Sequence, residues 1–396
     1  MTSLYCSLIL LLSVATIQVQ AIKWDVEGIK GGYHQNQPKL QQPTLHADSP
    51  SVKPRLPRPT FMNKKESETY LQIQPTDEYT SFLKKEDMYF RSEYHYVRKL
   101  GQGGFGIAHL AIKKSNGLGV VYKTIDKDDA KFYTFESSPP TECHITKVST
   151  LGGKHASAGC MSPRPQNLLL PFEIKIQEYL SQPGYENPYV PRVVDYFVVE
   201  RAYVLVMEYS GEDWIDLDGY MKTHGKFSVD KARPIIKEVV TALISLKKFG
   251  VLHGDIAGRN ILYNDRTGGV KIIDFGLSKP FQGWNQDSSA SGSSGGKSDT
   301  SVEEMKDLES IGFLLYRLST SRTPLQDLTL PSRKVAEELR NSLNSPESQL
   351  AADAVDLVAS LYRYGLYRIT SFEAILEHPF FHKPVKGGHT IEPTIY

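Results

Sequence analysis

The chain has 396 residues, of which 40% are hydrophobic and 23% are charged. This length and balance are typical of a globular protein with one large or two ordinary domains. Lysine and arginine together number 46 and aspartate and glutamate 45, so the net charge at pH 7 is only +1. Such a balance gives no support to nucleic acid or an anionic membrane surface as a partner.

Residues 1–21 predict a secretory signal peptide. The apolar run from Ser7 to Ala15 is too short to span a bilayer as a helix, and Val19 and Ala21 provide small residues at the −3 and −1 positions of a cleavage site. A buried helix or a membrane anchor is the alternative, because no lysine or arginine precedes the apolar run. We therefore expect a secreted protein, free of the membrane after signal removal, in the secretory lumen, outside the cell or exported into another cell.

Residues 22–88 are predicted to be a disordered leader. They are rich in proline, glutamine, lysine and serine, above all in the runs 35–43 and 50–59, and they show neither helical nor strand periodicity. We expect folded structure from residue 89 onwards.

An antiparallel sheet is predicted at the start of the folded region. Aromatic and β-branched residues at 89–96 lead into short strand-like runs. One helix and a further pair of strands complete a lobe of five strands and one helix, residues 89–208. The predicted strands are 97–100, 107–112, 120–125, 190–199 and 202–209, and the predicted amphipathic helix is 172–181.

An insertion interrupts this lobe between residues 126 and 171. Glycine, serine and proline clusters occur there without periodicity, over a length well beyond ordinary connections, so the segment is either functional or mobile. Cys143 and Cys160, the two cysteines that remain after signal removal, both lie in it. In an oxidising compartment a disulfide that closes this loop and two free buried thiols both stay open as interpretations.

Residues 209–384 are predicted to form a second, mainly helical lobe. A broad apolar stripe from Ile235 to Leu246 marks its longest helix. A serine- and glycine-rich loop interrupts the lobe, and residues 385–396 form a C-terminal tail. The predicted helices are 228–249, 305–318, 348–364 and 370–377, and the loop is 282–301.

Three polar side chains on two neighbouring loops indicate phosphoryl transfer. The octapeptide 253–260, His-Gly-Asp-Ile-Ala-Gly-Arg-Asn, is followed 14 residues later by Asp274-Phe-Gly. Phosphoryl transfer requires a group that orients the attacking hydroxyl and groups that hold Mg²⁺ against the phosphates. Asp255 suits the first task, and Asn260 and Asp274 suit the second. We expect His253 to pack beneath the loop.

A glycine-rich turn between two predicted strands precedes these loops. It contains Phe105 and four glycines, Gly101, Gly103, Gly104 and Gly106. Glycine lets a backbone close over phosphates without obstruction from Cβ. Such hairpins are common, so the turn alone is a weak signal. Its order in the chain adds weight, because Lys123 follows on the next suitable strand.

The ordered set resembles the eukaryotic protein kinase family, in a divergent and secreted form. The turn is similar to the family's G-x-G-x-x-G loop, Val120-Val-Tyr-Lys123 to V-A-I-K, and the two later loops to H-R-D-x-x-x-x-N and D-F-G. The resemblance covers residues 94–384 and implies an α+β, bilobal protein kinase fold, with a small, mainly antiparallel β lobe that has one helix and a larger, mainly helical lobe. It also implies a kinase domain at 89–384 with ATP and Mg²⁺ in the cleft.

The resemblance implies a partner for the lysine. Lys123 would contact the α- and β-phosphates and pair with Glu173 at the start of the predicted helix, or with Glu178 as the alternative. Gln177 stands where the family places an apolar residue between the lobes, which leaves the alignment of this helix open.

The resemblance also implies where the nucleotide binds. Met207 would be the gatekeeper, and the backbone from Glu208 to Ser210 would hydrogen-bond adenine. The glycine-rich turn would cover the phosphates. A buried strand and its exit turn is the alternative interpretation of 204–210. The residues that would sandwich the adenine ring are Ala108, Val121 and Leu262.

Departures from the family pattern concern the control of activity by phosphorylation and the type of hydroxyl that accepts the phosphate. Gly254 stands where the family usually has an arginine that binds an activation-loop phosphate, so this chain would not depend on that clamp. Ala257 and Arg259 match the loop of tyrosine kinases, and Arg259 would supply a charge near the γ-phosphate. The A-P-E motif is absent after Gly276. The run 368–381 is similar to the close of serine/threonine kinases, so we favour that class over tyrosine kinases.

We therefore expect a protein kinase that transfers the γ-phosphate of ATP to a hydroxyl of a protein substrate, with no nucleic acid or membrane partner. Two alternatives stay open. His-Gly-Asp is also usual in aminoglycoside and choline kinase-like enzymes, so a small-molecule phosphotransferase is one. An ATP-binding pseudokinase scaffold is the other, because Gln177 and the absent A-P-E motif both depart from the family pattern.

Overall fold

A computed structural model describes the chain from residue 57 to residue 382 with gaps, and these residues belong to one compact unit, 52–396. The described residues are 57–71, 76–104, 106–136, 164–165, 167–281, 302–322, 332–343, 348–361 and 369–382. Some predictions concern residues outside this set and stay predictions, namely those for the signal peptide 1–21, the leader at 22–56 and 72–75, Phe105, Cys143, Cys160, the loop 282–301 and the tail 385–396.

Whereas one helix was predicted for the N-terminal lobe, its described residues form eight strands and three helices. In chain order these are β1 (Met62–Asn63), α1 (Lys64–Leu71), α2 (Asp77–Glu93), β2 (Tyr94–Gly103), β3 (Gly106–Lys113), β4 (Leu118–Asp126), β5 (Phe132–Phe135), β6 (Leu169–Pro171), α3 (Phe172–Leu180), β7 (Val193–Val198) and β8 (Ala202–Glu208). Strands β2, β3, β4, β8 and β7 form an antiparallel sheet in that order, and β1, β5 and β6 form a second sheet. The antiparallel sheet predicted for this lobe is confirmed.

The inner strands of the five-stranded sheet are buried on both faces, whereas β2 is mostly exposed. On β8, Val204 and Val206 pack in one cluster with Val120 of β4, whereas Leu205 packs in another cluster with Ile174 of α3. The separation follows from the strand itself, because successive side chains point to opposite faces. Helix α3 therefore covers the face that carries Leu205.

The leader prediction is wrong for residues 57–71 and 76–88. These residues contain β1, α1 and most of α2, and a capping hydrogen bond to Thr76 begins α2. Helix α2 buries Phe82 and Glu86 although its composition is polar. One narrow buried stripe is enough to hold a helix against a neighbouring surface, and averaging composition over the whole leader concealed that stripe.

The insertion predicted over 126–171 contains regular structure at both ends. Strand β5 pairs with β1 on one side and with β6 on the other, whereas residues 137–163 lie outside the described part of the chain. Strands this short carry no recognisable period and become stable only by pairing with distant partners. The prediction of a segment without regular structure is therefore wrong for 132–135 and 169–171.

Helix α3 lies where the pattern predicted it, within 172–181, but it is not amphipathic. Only one of its residues is not buried. Ile174 packs with the sheet, whereas Phe172 and Ile176 belong to the core of the helical lobe. The helix is buried on both sides because each lobe covers one side of it.

The C-terminal lobe is mainly helical. It contains β9 (Trp214–Asp216), α4 (Leu217–His224), α5 (Val229–Lys248), β10 (Val251–Leu252), β11 (Ile261–Asn264), β12 (Val270–Ile272), β13 (Lys279–Pro280), α6 (Val302–Thr320), α7 (Ser332–Ser342), α8 (Gln349–Leu361) and α9 (Phe372–Leu376), with 3₁₀ turns at Gly258–Asn260 and Pro379–Phe381. The long predicted helix is α5, which Ser228 caps, and the other predicted helices overlap α6, α8 and α9. The predicted α+β, bilobal architecture is confirmed. Within the described ranges, no helix is both long enough and apolar enough to cross a membrane.

Candidate active site

A buried lysine lies between two carboxylates from different parts of the fold. On β4, Lys123 is opposite Leu205 of β8, so its side chain points to the face of the sheet that α3 covers. Its Nζ lies 2.5 Å from Oε1 of Glu173 on α3 and 2.8 Å from Oδ1 of Asp274. The side chain of Lys123 is 10% exposed and that of Glu173 is 5% exposed. One ammonium group thus joins the sheet, α3 and the loop that follows β12.

The charges of this triad do not balance, since two carboxylates share one ammonium. Burial raises the pKa of Glu173, and the nearby Asp274 raises it further, whereas Lys123 opposes both effects. Burial also works against the charged form of Lys123, but the two carboxylates outweigh it and raise the pKa of the ammonium. Lys123 is therefore held as a cation between the two carboxyl groups.

Glu173, and not Glu178, is the partner of Lys123. Glu178 instead pairs with Lys175 on the same helix. The two glutamates are five residues apart, which places them about 140° apart around the helix axis. Only the first turn of α3, directly after β6, faces the lysine.

Gln177 is buried in the middle of α3 and is hydrogen-bonded. Its Nε2 donates to the backbone oxygen of Pro191 at 3.1 Å and lies 2.9 Å from Sδ of Met207. Sulfur is a weak acceptor, so Pro191 is the stronger partner. Gln177, which left the alignment of α3 open in the sequence, therefore connects this helix to β8 and to the segment before β7.

The backbone of Asp274 is strained. Its φ of +67° is left-handed, which is uncommon for a residue other than glycine. The next residue, Phe275, is fully buried and packs edge-on against the ring of His253 at 5.2 Å. Strain of this kind persists only where the surroundings fix the conformation. The burial of Phe275 thus helps to hold the carboxylate of Asp274 towards Lys123.

The octapeptide brings three of its polar side chains together. Nδ2 of Asn260 donates to the backbone oxygen and to Oδ2 of Asp255, both at 2.8 Å. Nη2 of Arg259 lies 2.8 Å from each carboxylate oxygen of Asp255. The 3₁₀ turn at Gly258–Asn260 creates these short-range contacts. The charge of Arg259 is therefore placed at the carboxylate of Asp255, and the γ-phosphate role expected for it stays a prediction.

His253 supports the octapeptide from beneath. The residue is fully buried, and burial lowers the pKa of its ring. Its Nε2 donates to the backbone oxygen of Ile273 at 3.1 Å, and its Nδ1 accepts the N–H of Asp255 at 3.3 Å. A neutral ring with both nitrogens engaged joins the two loops and does not act as a base.

Sequence reasoning missed Asp307 as a residue of this site. On α6, its Oδ2 accepts the N–H of His253 at 2.9 Å and its Oδ1 accepts the N–H of Gly254 at 2.8 Å. Burial raises the pKa of Asp307 to about 7, although the two N–H groups lower it. The available signal was the run 307–316, which begins with this aspartate and is similar to the D-x-W-S-x-G helix of the protein kinase family.

Gly254 is required by the backbone of the loop. Its φ is +79°, and a Cβ at this position would lie 2.5 Å from the backbone oxygen of Leu277. An arginine here would therefore displace the segment that follows Asp274. The close contact between the two loops therefore excludes an arginine at position 254 in this conformation.

Comparison with known proteins decides the family. A family model described as a protein kinase domain matches residues 169–381, more than half of the chain. The chain belongs to the protein kinase family. The expectation that the motifs raised is confirmed, together with the fold that it implied.

Relatives of this kinase are similar to it at low identity. Serine/threonine-protein kinase prk-2 of Caenorhabditis elegans is 24% identical over 313 residues, 74% of this chain and 58% of the relative. Serine/threonine-protein kinase pim-2 of Danio rerio is 24% identical over 305 residues, 74% of this chain and 86% of the relative. Protein kinase kin1 of Schizosaccharomyces pombe is 25% identical over 250 residues, 61% of this chain and 27% of the relative. The matched part thus spans about a quarter of kin1 and somewhat more than half of prk-2.

The glycine-rich turn of the kinase closes β2 onto β3. Gly103 pairs with Gly106, whose φ is +140° and whose Cβ would lie 2.1 Å from a backbone oxygen of β4. Around Gly101 and Gly104, no atom of the described residues lies within 4 Å of an added Cβ. A Cβ at Gly103 would lie 3.8 Å from Oδ2 of Asp274. The turn therefore lies over Asp274 and leaves open space beside it.

The apolar residues expected around the adenine ring are partly buried, and three of them share the sheet face of Lys123. Ala108 of β3 is opposite Lys123, and Val121 of β4 is opposite Met207 of β8, whereas Leu262 lies on β11. The side chain of Glu208 pairs with Lys271 at 2.6 Å, and its backbone N–H donates to the backbone oxygen of Arg192 at 2.9 Å. Two residues later, the buried Oγ of Ser210 has no hydrogen-bond partner among the described residues. A buried hydroxyl without a partner fits a polar group of a ligand at the exit of β8.

These residues fit ATP and Mg²⁺, the cofactors that membership of the family implies. The open space over the glycines suits phosphates, and Ser210 suits the polar edge of a nucleoside. Carboxylate and amide oxygens suit Mg²⁺. Asp274 has Oδ2 on the side of the turn, and Asn260 has its amide oxygen left after its nitrogen binds Asp255.

Proposed function

We propose that this chain is an active, ATP-dependent protein kinase that phosphorylates serine or threonine hydroxyl groups of proteins. The observation that carries the proposal is the position of Lys123, whose Nζ contacts Glu173 at 2.5 Å and Asp274 at 2.8 Å. Phosphoryl transfer in this family requires the lysine, the helix glutamate and the metal-binding aspartate to be in place together. All three meet at one ammonium group.

Each side chain then has a task at the phosphates or at the acceptor. Lys123 binds the α- and β-phosphates and offsets part of their charge. Asp274 and Asn260 would hold Mg²⁺, which neutralises charge on the phosphates during transfer. Asp255 orients the attacking hydroxyl and accepts its proton. Because Arg259 and Asn260 both donate to its carboxylate, Asp255 is held in one position for this task.

The preference for serine and threonine rests on two observations. The C-terminal run 368–381 is similar to the close of serine/threonine kinases. Two of the relatives, prk-2 and pim-2, are named as serine/threonine-protein kinases. Both support the preference independently of the tyrosine kinase-like Ala257 and Arg259.

A small-molecule phosphotransferase is the second candidate. Gly254 favours it, because glycine at this position is usual in aminoglycoside and choline kinase-like enzymes. The test therefore includes small amino alcohols and amino sugars beside generic protein acceptors.

The experiment measures transfer of labelled γ-phosphate by residues 22–396 with Mg²⁺. We expect K123A and D274A to lose transfer to protein, whereas K114A, a change at an exposed lysine on the same lobe, retains it. Phosphoamino-acid analysis of the product identifies serine, threonine or tyrosine. Equal incorporation by the wild type, K123A and D274A would reject the catalytic assignment. Labelling of small molecules alone would support the second candidate, and nucleotide binding without any transfer would support a scaffold.

A further inference from the structure

Residues 58–63, the strap, touch both lobes within a few residues. Nη1 of Arg58 donates to the backbone oxygen of Gly250 at 3.3 Å, in the turn after α5. Oγ1 of Thr60 lies 3.1 Å from Oγ1 of Thr134 on β5. The strap includes β1 and directly precedes α1. It therefore links the large lobe to the small second sheet of the N-terminal lobe.

Phe61 is the centre of the strap. Its ring lies 4.8 Å from the ring of Phe132 on β5 and meets the ring of Phe172 edge-on at 5.2 Å. Phe172 is the first residue of α3 and is fully buried. The next residue is Glu173, the partner of Lys123. Phe61 thus packs against the residue that directly precedes Glu173 in the chain.

The first turn of α3 begins without a side-chain cap, so the packing of Phe172 is one of the contacts that hold it. Pro171 precedes the helix, and no side chain caps its N-terminus. The helix follows directly on β6, which β5 holds, and β5 is in turn held by β1 as the edge strand of the sheet. In that sheet Met62 is opposite Tyr133 and Asn63 is opposite Phe132. The strap therefore closes the sheet from which Glu173 emerges.

The same sheet also touches the segment that follows Asp274. Nζ of Lys279 on β13 lies 5.8 Å from the ring centre of Phe132 and 3.3 Å from Oε1 of Glu303. Phe132 thus contacts the strap through Phe61 and lies near Lys279, five residues after Asp274.

We propose that the strap is a positioning element for Glu173, with Phe61 as its principal residue. This proposal rests on the proposed kinase activity. The packed ring of Phe61 holds the first turn of α3 against β6, and the contact between Lys123 and Glu173 depends on that turn. Without the ring, the turn shifts and the glutamate leaves the lysine, although every catalytic side chain is still present.

The test compares F61A with Y70A in residues 22–396. Tyr70 also belongs to the leader, is 49% exposed and packs edge-on at 4.9 Å against Phe135, at the other end of β5 from Phe132. Y70A, like F61A, therefore removes an aromatic ring that packs on β5, but this ring does not contact α3. We expect kcat about tenfold lower in F61A, with KM for the protein acceptor unchanged, because misplacement of a catalytic group lowers the rate of the chemical step. Y70A should match the wild type, and F61L should restore most of the rate.

A double-variant cycle separates positioning from loss of stability. If Phe61 acts through Glu173, F61A has little further effect on kcat in an E173Q background. A similar loss of kcat in both backgrounds, or an unchanged kcat in F61A, would overturn the proposal. If F61A does not yield folded protein, R58A removes the anchor on Gly250 instead and enters the same cycle.

Hydrogen exchange of the peptide 172–180 gives a result that does not depend on phosphate transfer. Faster exchange in F61A than in Y70A would support the strap even if the wild type proved inactive, and the kinase activity alone would then be rejected. Unchanged exchange of this peptide in F61A, with an active wild type, would reject the strap and leave the activity standing.

Discussion

The carboxylate of Asp307 accepts the backbone N–H of Gly254 at 2.8 Å, so helix α6 holds the loop that carries Asp255. The second oxygen of Asp307 accepts the N–H of His253 at 2.9 Å. The loop requires a glycine at position 254 because the backbone there is left-handed. It requires a carboxylate at position 307 because two N–H groups need two acceptor atoms. The geometry of the octapeptide is therefore set by a residue outside it.

We expect D307N to lose activity and stability together. The amide nitrogen would face a backbone N–H, and leaving one buried donor without an acceptor costs about 1–3 kcal/mol. Displacement of Asp255 should lower kcat by about tenfold or more. Urea denaturation and phosphate transfer measure the two effects. D87N, the same change in an ion pair with the exposed Arg91, should shift stability by less than about 1 kcal/mol. A stable, active D307N would contradict the role of this carboxylate.

Gly254→Ala should destabilise the chain more than Gly117→Ala. Both glycines have left-handed φ values, +79° and +71°, so each alanine bears a conformational strain of about 1–2 kcal/mol. Only at position 254 does the new Cβ meet an atom, the backbone oxygen of Leu277, whereas position 117 is open. We expect an additional loss of about 1–3 kcal/mol for G254A, measured by denaturation. Equal losses for the two variants would show that Leu277 moves aside freely.

Glu173→Gln and Glu178→Gln form a matched pair on α3. Only Glu173 binds Lys123, whereas Glu178 binds Lys175 on the outer part of the helix. E173Q removes one of the two charges that hold the ammonium, so we expect kcat to fall by about tenfold to a hundredfold. E178Q should keep the rate of the wild type. Steady-state kinetics with ATP varied measures both, and a reversed order would place Glu178 at the active site.

A second buried ion cluster predicts how stability depends on pH. Arg164 binds Glu136 at 3.1 Å and Glu86 of α2 at 3.3 Å, and these side chains are almost fully buried. The N–H of Val198 also donates to Glu86 at 3.2 Å. Burial raises the pKa of Glu86 to about 7, and the nearby Asp195 adds to the rise, whereas Arg164 and the N–H of Val198 lower it. The folded state therefore keeps a proton on Glu86 that the unfolded chain has released.

Between pH 4.5 and about 7 the folded state binds more protons than the unfolded state, so the contribution of Glu86 to stability falls as pH rises through this window. E86Q cannot ionise. Its free energy of unfolding should decline less over the window, by up to about 3 kcal/mol relative to the wild type. Urea denaturation at pH 5 and pH 8 measures the difference. E68Q, at an exposed position of α1, should follow the wild type, and an E86Q profile parallel to the wild type would refute the assignment.

The ordered motifs were sufficient to predict which parts of the chain meet at the site. Lys123 and Asp274 are in contact, and Asp255 is in contact with Asn260, as expected of residues that serve one chemistry. The resemblance favoured Glu173 and left Glu178 as the alternative, because both lie on one short helix that is buried on both sides. Its periodicity gives no direction when nearly every residue is covered.

Composition misled at the leader and at the insertion. The sequence around the strap is rich in proline, and the sequence of α2 is polar. Strands β5 and β6 are too short to show a period. Their stability comes from partners far away in the chain, such as Phe172 for Phe61 and Arg164 for Glu86. Composition and periodicity depend only on residues that are adjacent in the sequence, so they do not indicate these contacts.

By itself the sequence determined the family, the two-lobe architecture and the candidates for phosphate, metal and hydroxyl, because glycine turns, apolar periods and spaced polar residues are local patterns. Only the tertiary structure decided which glutamate binds Lys123, which carboxylate holds His253, and what ties the strap to the large lobe. Those contacts join residues 50, 54 and 192 positions apart. Separations of that length are bridged by the packing of the sheet, α3 and α6, and no local pattern encodes them.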